Sequence, residues 1–261
     1  SIDQKLKFIK EFNSATKQVY SGVLHEKLQM SWTYNSLAIE GNQLTLSDTI
    51  FFLQNGLSVA GKRISDFLEV IGHSEAIDLL MNYIKDSRSY SKHFACKINQ
   101  LLTGHVKTVP AIDPQGNRLN ISYTAGRYRT GPTHVMTKAG TVHKYVEAHL
   151  IEEQMDELIR YVNSDDPAVH PVVRAAVAHY NFVRIHPFQD GNGRGARLLM
   201  NMVLIKAGLY PTVVQVEEKN AYLAALRAAD QGDMQSFVDF IMNSTDKTLD
   251  ILVSTIKKEI M

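Results

Sequence analysis

The densest chemistry in this chain lies in one run, His186-Pro187-Phe188-Gln189-Asp190-Gly191-Asn192-Gly193-Arg194-Gly195-Ala196-Arg197. Two glycines flank an asparagine immediately before an apolar run of helical period. Glycine lets backbone amides approach a ligand closely, and a helix start leaves unpaired N–H groups. Together they form a phosphate cradle. Arg194 and Arg197 stand three apart, so they project from neighbouring positions on one helix face. A helix N-terminus disfavours cations, so two arginines there need an anionic partner. A polyphosphate held by charge-assisted bonds is such a partner. Asp190 offers a hard oxygen for Mg²⁺, which on a nucleotide takes one or two protein carboxylates beside phosphate oxygens. His186 can take a proton from an attacking hydroxyl near neutral pH. The alternative is a Gly-rich helix connection whose arginines meet surface carboxylates. It would win for a lone GxG, but not against a His, an Asp, an Asn, two Gly and two Arg packed together. Nor is the run a Walker loop, because the spacing and the terminal Lys-Ser/Thr are absent.

A second segment, Ser36-Leu37-Ala38-Ile39-Glu40-Gly41-Asn42, closes an apolar helix. Ser36 and Glu40 are one turn apart on one face, and Gly41 permits the stop. Alone, this is an ordinary helix C-terminus. A carboxylate there lies on the unfavourable side of the helix dipole and needs a compensating cation.

The elements that must position these residues are mostly helices. Apolar residues recur at three and four over 2–17, 24–37, 47–53 and 65–86, with Gly41, Gly56 and Gly61 as stops or turns. Residues 111–141 differ, because Asp113-Pro114-Gln115-Gly116-Asn117, Gly126, Gly131, Pro132 and Gly140 punctuate short β-formers. That pattern predicts loops and a small hairpin, best placed over 133–142. Helical period returns at 147–163, breaks at Asp165-Asp166-Pro167, and restarts at His170-Pro171 to run to about 185. Residues 194–206 form another apolar helix that Gly208 can stop, and 222–229 and 234–257 supply the last helices. The expected class is mostly α with one small β element. The expected division is an N-terminal helical lobe over 1–90, a core over 91–245 and a C-terminal helical tail over 246–261.

Composition narrows the function. Lys plus Arg is 28 against 27 for Asp plus Glu. A nucleic-acid or membrane-surface protein would carry a strongly basic face, so neither partner is expected and phosphate chemistry must be local. Cys96 is the only cysteine, too few for an internal disulfide or a thiolate zinc site. A reducing, cytoplasmic setting is its simplest fit. No stretch is long and apolar enough to span a bilayer. No secretory signal is visible at Ser1, and a start without Met leaves room for an upstream segment. His73, His93, His105, His134, His143, His149 and His170 show no metal-ligand spacing, so solvated or capping roles are expected. His179 is expected to pack or bond inside its helix, and Trp32 and Tyr34 to sit in the core or at a lobe interface.

Residues 186–197 resemble the signature HxFx(D/E)GNGRxxR of the Fic family at every specified position. The resemblance runs from about residue 40 to 240, through Ala178-His179-Tyr180 and Arg197-Leu198-Leu199-Met200-Asn201. It implies a Fic-fold helical core with the motif loop between two helices and a β-hairpin flap. The activity it implies is transfer of AMP from Mg-ATP to a Ser, Thr or Tyr hydroxyl of a target protein. By the same resemblance His186 is the general base, Asp190 the Mg²⁺ ligand, and Gly191, Asn192 and Gly193 the anion hole. Arg194 then meets the β-phosphate and Arg197 the γ-phosphate, Phe188 packs inward, and Gly195 and Ala196 complete the nucleotide-binding stretch.

Gly126-Arg127-Tyr128-Arg129 and Thr133-His134-Val135-Met136 resemble the flap, which docks the target by strand addition. The usual Pro-rich exit is replaced here by Lys138-Ala139-Gly140-Thr141-Val142-His143. Tyr222 and Asp230 fall where relatives contact adenine. Leu223 and Asp230 depart from the residues several relatives carry, which leaves UTP or another nucleotide open. Ser36 and Glu40 resemble the inhibitory motif (S/T)xxxE(G/N) of autoinhibited members. The surrounding residues look closest to Fic enzymes of animal secretory compartments and their bacterial relatives, which leaves such a compartment open. A salt bridge from Glu40 to Arg197 is implied, taking the arginine that the γ-phosphate needs. In some relatives the same glutamate supports removal of AMP, and the sequence leaves transfer and removal both open. A non-catalytic ATP-sensing module is the rival from another class, and intact His186 and Asp190 count against it. Since relatives associate, a homodimer is a further expectation.

Overall fold

The computed structural model describes residues 1–15, 19–112, 117–132, 134–136, 142–164 and 166–260. Lys17 at the expected end of the first helix, turn residues 113–116, Thr133, residues 137–141 and Asp165 lie outside the described residues. The helices are α1 (Ile2–Ala15), α2 (Val19–Glu40), α3 (Leu46–Asn55), α4 (Ile64–Lys85), α5 (Lys92–Thr103), α6 (Ile151–Asn163), α7 (Pro171–Ile185), α8 (Asn192–Lys206), α9 (Lys219–Asp230) and α10 (Met234–Ile260). Single 3₁₀ turns, Ala148–Leu150 and Val216–Glu218, lead into α6 and α9.

Helix α8 organises the rest. From Arg194 to Leu204 every residue is buried, as expected of a helix without a solvent face. It is wrapped by α2, α4, α5 and α7. Gly195 lets α7 come close, since a Cβ there would stand 3.3 Å from the Phe182 ring. One continuous core of buried side chains extends from Leu6 on α1 to Ile256 on α10, and α1 packs on α10. Trp32 lies in this core.

Local chemistry sets the ends. His170 caps α7 by accepting from Val172 N–H at Nδ1 (3.2 Å), and Pro171 opens the helix as its fixed φ allows. Thr45 and Asp48 form a reciprocal capping box on α3. Three departures from the periodicity bear on the site. Helix α2 continues past 37 to Glu40, which places Ser36 and Glu40 in its last turns. Helix α8 begins at Asn192, two residues before Arg194, because Gly191 caps it at φ 81° and first-turn amides need no helical partner. Helix α5 was not expected, although Ser91 caps it through Phe94 N–H (3.2 Å) and Phe94, Ile98 and Leu102 line its buried face.

The described residues form two antiparallel hairpins. Strands β3 (His134–Met136) and β4 (Val142–Lys144) pair where the hairpin was expected, with Val135 opposite His143. Strands β1 (Thr108–Ile112) and β2 (Arg118–Ser122) form a second, unexpected hairpin on either side of the 113–117 turn cluster. His73 also corrects an expectation. It is fully buried on α4 with Nδ1 3.2 Å from Thr33 Oγ1, where a solvated role was expected. Among the described residues no helix is long and apolar enough to cross a membrane.

Candidate active site

The motif loop joins the end of α7 to the start of α8. His186 ends α7 in the left-handed region, with φ 51° and ψ 59°. A non-glycine residue held there costs about 1–3 kcal/mol, so its surroundings must impose it. Its N–H donates to Phe182 O (3.0 Å), and its own carbonyl accepts from Arg129 Nε (2.7 Å). Its Nδ1 lies 3.4 Å from Val183 O. The imidazole stacks face to face on the Tyr145 ring, with centroids 3.7 Å apart and planes at 19°.

Downstream, Asn192 staples the loop. Its Nδ2 donates to Phe188 O (2.7 Å), and its Oδ1 accepts from Phe188 N–H (3.0 Å). Phe188 is buried between the Tyr128 and Phe182 rings. Asn99, on α5, braces the loop from below, donating through Nδ2 to Asp190 O (2.8 Å). Its Oδ1 accepts from Gly126 N–H (2.8 Å) and Tyr123 Oη (3.0 Å). Gly191 must be glycine twice over, for its positive φ and because a Cβ would stand 2.8 Å from Thr103 Cγ2. The Asp190 carboxylate, 38% exposed, accepts at Oδ1 from Gly191 N–H (2.6 Å) and Arg194 Nη2 (3.2 Å).

The two arginines do not converge on one partner. Arg194 reaches back to Asp190 and to Leu102 O (3.3 Å). Arg197 donates through Nε to Ser36 Oγ (3.0 Å), and through Nη2 to Ser36 O (2.8 Å) and Glu40 Oε1 (2.8 Å). Its side chain is 3% exposed, against 40% for Glu40. The Glu40 carboxylate lies against the first turn of α8, where a Cβ on Gly193 would collide with Oε1. A carboxylate misplaced at the end of its own helix is thus well placed at the start of another. Burial opposes the charge of Glu40, but the Arg197 and Arg194 guanidiniums, the Arg197 hydrogen bond and Lys219 outweigh it and hold the carboxyl below its usual range. Burial likewise opposes Arg197, and Glu40 with Tyr222 overcomes it, so this guanidinium stays charged. Arg197 Nη1 and Arg194 Nε are buried with no hydrogen-bond partner among the described residues. Buried orphan donors at the mouth of a cradle suit an anion larger than one carboxylate.

The remaining expected site residues are spread more widely. Tyr222 is buried, with its hydroxyl 2.9 Å from His179 Nε2, which agrees with a packing role for His179. Asp230 is exposed at the end of α9, and its Oδ1 accepts from Tyr180 Oη (3.2 Å). His134, Val135 and Met136 form β3, and Thr133 lies outside the described residues. Sequence reasoning missed Asn99, Tyr145 and the role of Arg129. Only Asn99 left a signal, as a polar residue on the apolar face of α5. Among the described residues no three His, Cys, Asp or Glu side chains cluster as a metal site. Asp190 alone, with Oδ2 unpartnered among the described residues, fits a cation that draws its other ligands from phosphate and water.

A family model described as Fic/DOC family matches residues 89–204. The chain is similar to the protein adenylyltransferase Fic of Drosophila yakuba, 34% identical over 258 residues, covering 96% of this chain and 47% of that protein. It is similar to the protein adenylyltransferase fic-1 of Caenorhabditis elegans, 30% identical over 248 residues, covering 95% and 46%. The chain therefore spans about half the length of these relatives. Among solved structures, a Fic domain containing signaling protein from Bacteroides thetaiotaomicron aligns with a TM-score of 0.83 at 25% identity, over 97% of both chains. Residues 134–508 of Fic-1 from C. elegans align with a TM-score of 0.77 at 26% identity, over 99% of this chain and 73% of that one.

Proposed function

We propose that this chain is a Fic/DOC family enzyme that transfers AMP from ATP to a Ser, Thr or Tyr hydroxyl of a target protein under the control of Glu40. The observation that carries this reading is the Glu40–Arg197 pair across the start of α8. An anion of the protein's own sits where a phosphate would, on the arginine a phosphate would need.

In this reading the amides of the first turn of α8 and the Arg194 and Arg197 guanidiniums hold the β- and γ-phosphates. His186 takes the proton of the target hydroxyl as its oxygen attacks the α-phosphorus. The bond from that phosphorus to the bridging oxygen breaks, and pyrophosphate leaves with the electron pair. Asp190 would hold Mg²⁺, which supplies charge neutralisation at the phosphates when bound. Catalysis of this kind is mostly positioning and charge stabilisation, which suits a site made of backbone, guanidinium and one base. While Glu40 holds Arg197, ATP lacks its γ-phosphate contact. A preference of about 2–3 kcal/mol for the closed pair suppresses transfer roughly 30- to 150-fold.

A second reading, hydrolytic removal of AMP, draws support from Glu40 itself. The side chain is 40% exposed, and Oε2 has no partner among the described residues, so it could orient a water at the phosphodiester. For association, we propose a homodimer; Ile64, Leu68 and Ile71, exposed at i, i+4 and i+7 along one face of α4, are the apolar surface it would cover.

The test is incubation of the parent chain and Glu40→Gly with Mg²⁺ and ATP labelled at the α or the γ phosphate. Protein labelling from α-labelled ATP alone, stronger in Glu40→Gly, is the expected result. Labelling from the γ position would mean a kinase-like orientation. Absence of labelling, with release of AMP from a modified target, would favour removal.

A further inference from the structure

A histidine base acts only when its lone pair is aimed, and an imidazole at a helix end has two side-chain torsions free to spoil that aim. At His186 both the backbone and the ring are held from outside the motif. Arg129 is buried, yet each of its hydrogen bonds goes to a backbone carbonyl. Nε donates to His186 O (2.7 Å), Nη1 to Gly131 O (2.9 Å), and Nη2 to Val146 O and Ile185 O (3.4 Å). Its N–H adds a bond to Pro187 O (2.8 Å). A guanidinium taken from water without a carboxylate in hydrogen-bond contact is costly, so geometry is what it returns. Gly131 precedes β3 and Val146 follows β4, so one side chain ties both ends of that hairpin to the backbone of His186. Tyr145, also just after β4, supplies the second restraint by stacking on the imidazole at 3.7 Å. The basic nitrogen's lone pair and the N–H of a neutral imidazole both lie in the ring plane. A face-stacked phenol therefore fixes that plane, and with it the direction in which the nitrogens point.

We infer that Arg129 and Tyr145 are positioning residues for His186, locking its backbone and its ring plane to the two ends of the β3–β4 hairpin. The inference rests on His186 being the base of the proposed transfer. It makes the hairpin and the base one mechanical unit, so whatever seats on the hairpin also sets the base.

The experiment compares Tyr145→Phe, Tyr145→Ala and Arg129→Lys, each in the Glu40→Gly background. The readouts are kcat, its pH profile, ATP binding, and the rate at which diethyl pyrocarbonate modifies His186, read by peptide mass spectrometry. A misaimed catalytic group costs about 10- to 100-fold in rate, and that fall in kcat is expected for Tyr145→Ala with ATP binding unchanged. Tyr145→Phe keeps the stack and should match its parent. His186 should be modified faster in Tyr145→Ala than in Tyr145→Phe. Arg129→Lys keeps the charge without the fork and should behave like Tyr145→Ala; should it not fold, the tyrosine pair decides alone. Equal kcat losses in Phe and Ala, or ATP binding that weakens in step with kcat, would overturn the inference. If no variant transfers AMP, the modification rates still decide. Equal rates reject the clamp, whereas faster modification in Tyr145→Ala alone keeps it while the transferase reading fails.

Discussion

At the α8 end of the motif loop, Arg197 is held by Glu40 at 2.8 Å and by the Ser36 hydroxyl and carbonyl. At the α7 end, His186 is held by a guanidinium on its carbonyl and a ring stacked on its face. The first tie is made of charge, and a ligand of the same charge as Glu40 can take it over. The second is made of backbone bonds and ring contact, which a phosphate cannot replace. The molecule thus separates a part that can be exchanged from a part that has to stay fixed. In the proposed function, that separation lets Glu40 act on the nucleotide's charge while His186, as the base, keeps its aim.

The sharpest way to break this division is His186→Ala. A positioned histidine base contributes about 10²–10⁴-fold, so transfer in the Glu40→Gly background should fall by that factor. ATP binding, measured by calorimetry, should stay as it was, since the proposed phosphate contacts belong to α8. A loss of binding as large as the loss of rate would mean that the two ends are not separate.

The exchangeable end was the legible one. Arginines at a helix start and a glutamate at a helix end each stand on the wrong side of a dipole, and both misfits show in the sequence. Their pairing, 157 positions apart, is implied by the resemblance and present in the structure as a 2.8 Å contact. The fixed end was nearly silent. Arg129 bonds only to backbone carbonyls, and a carbonyl has no residue type to read. Tyr145 follows a three-residue strand too short for any period to show. Helix bounds followed the same divide. Pro171 behind a capping His170 fixed the start of α7, whereas Gly191-Asn192-Gly193 looked like loop although two of its members are helical. In helix α5, the spacing of Phe94, Ile98 and Leu102 was available and was missed. Asn99 on that face is what braces Asp190.

Acid challenges both ends together through two buried histidines. His179 lies in α7 and His73 on α4 behind α2, and each is pushed down to about 3, first by burial and then by the charge of Arg197. Unfolded, each would titrate near 6.5. Between those values the unfolded chain binds more protons, so stability falls as pH drops below about 6.5, by up to ~1.4 kcal/mol per pH unit for each histidine. Glu40 acts in the same direction further down: its folded value is depressed, so its contribution is present above the usual carboxylate range and lost as pH falls through the folded value. Urea midpoints from pH 7.5 to 4.5 should decline from the first step below 6.5. A flat curve to pH 5 would mean that these imidazoles are not held neutral, and that the ground beneath both ends is softer than the packing indicates.

The smallest effect is expected at Ser36, and it tests whether the exchangeable end is purely a switch. Ser36→Ala removes the hydroxyl that accepts from Arg197 Nε and leaves the Ser36 carbonyl and Glu40 bonds in place. A net hydrogen bond of about 1 kcal/mol predicts a rise in transfer of roughly 5-fold, well below that of Glu40→Gly. The informative arm is the double variant, because residues sharing one partner are not additive. If Ser36 serves only to present Arg197 to Glu40, Ser36→Ala changes nothing once Glu40 is gone. A fall in rate in that background would mean that Ser36 also aims the arginine at the phosphate. Arg197 would then stand on a fixed mount of its own, as His186 does, and the only exchangeable piece at the α8 end would be the Glu40 carboxylate.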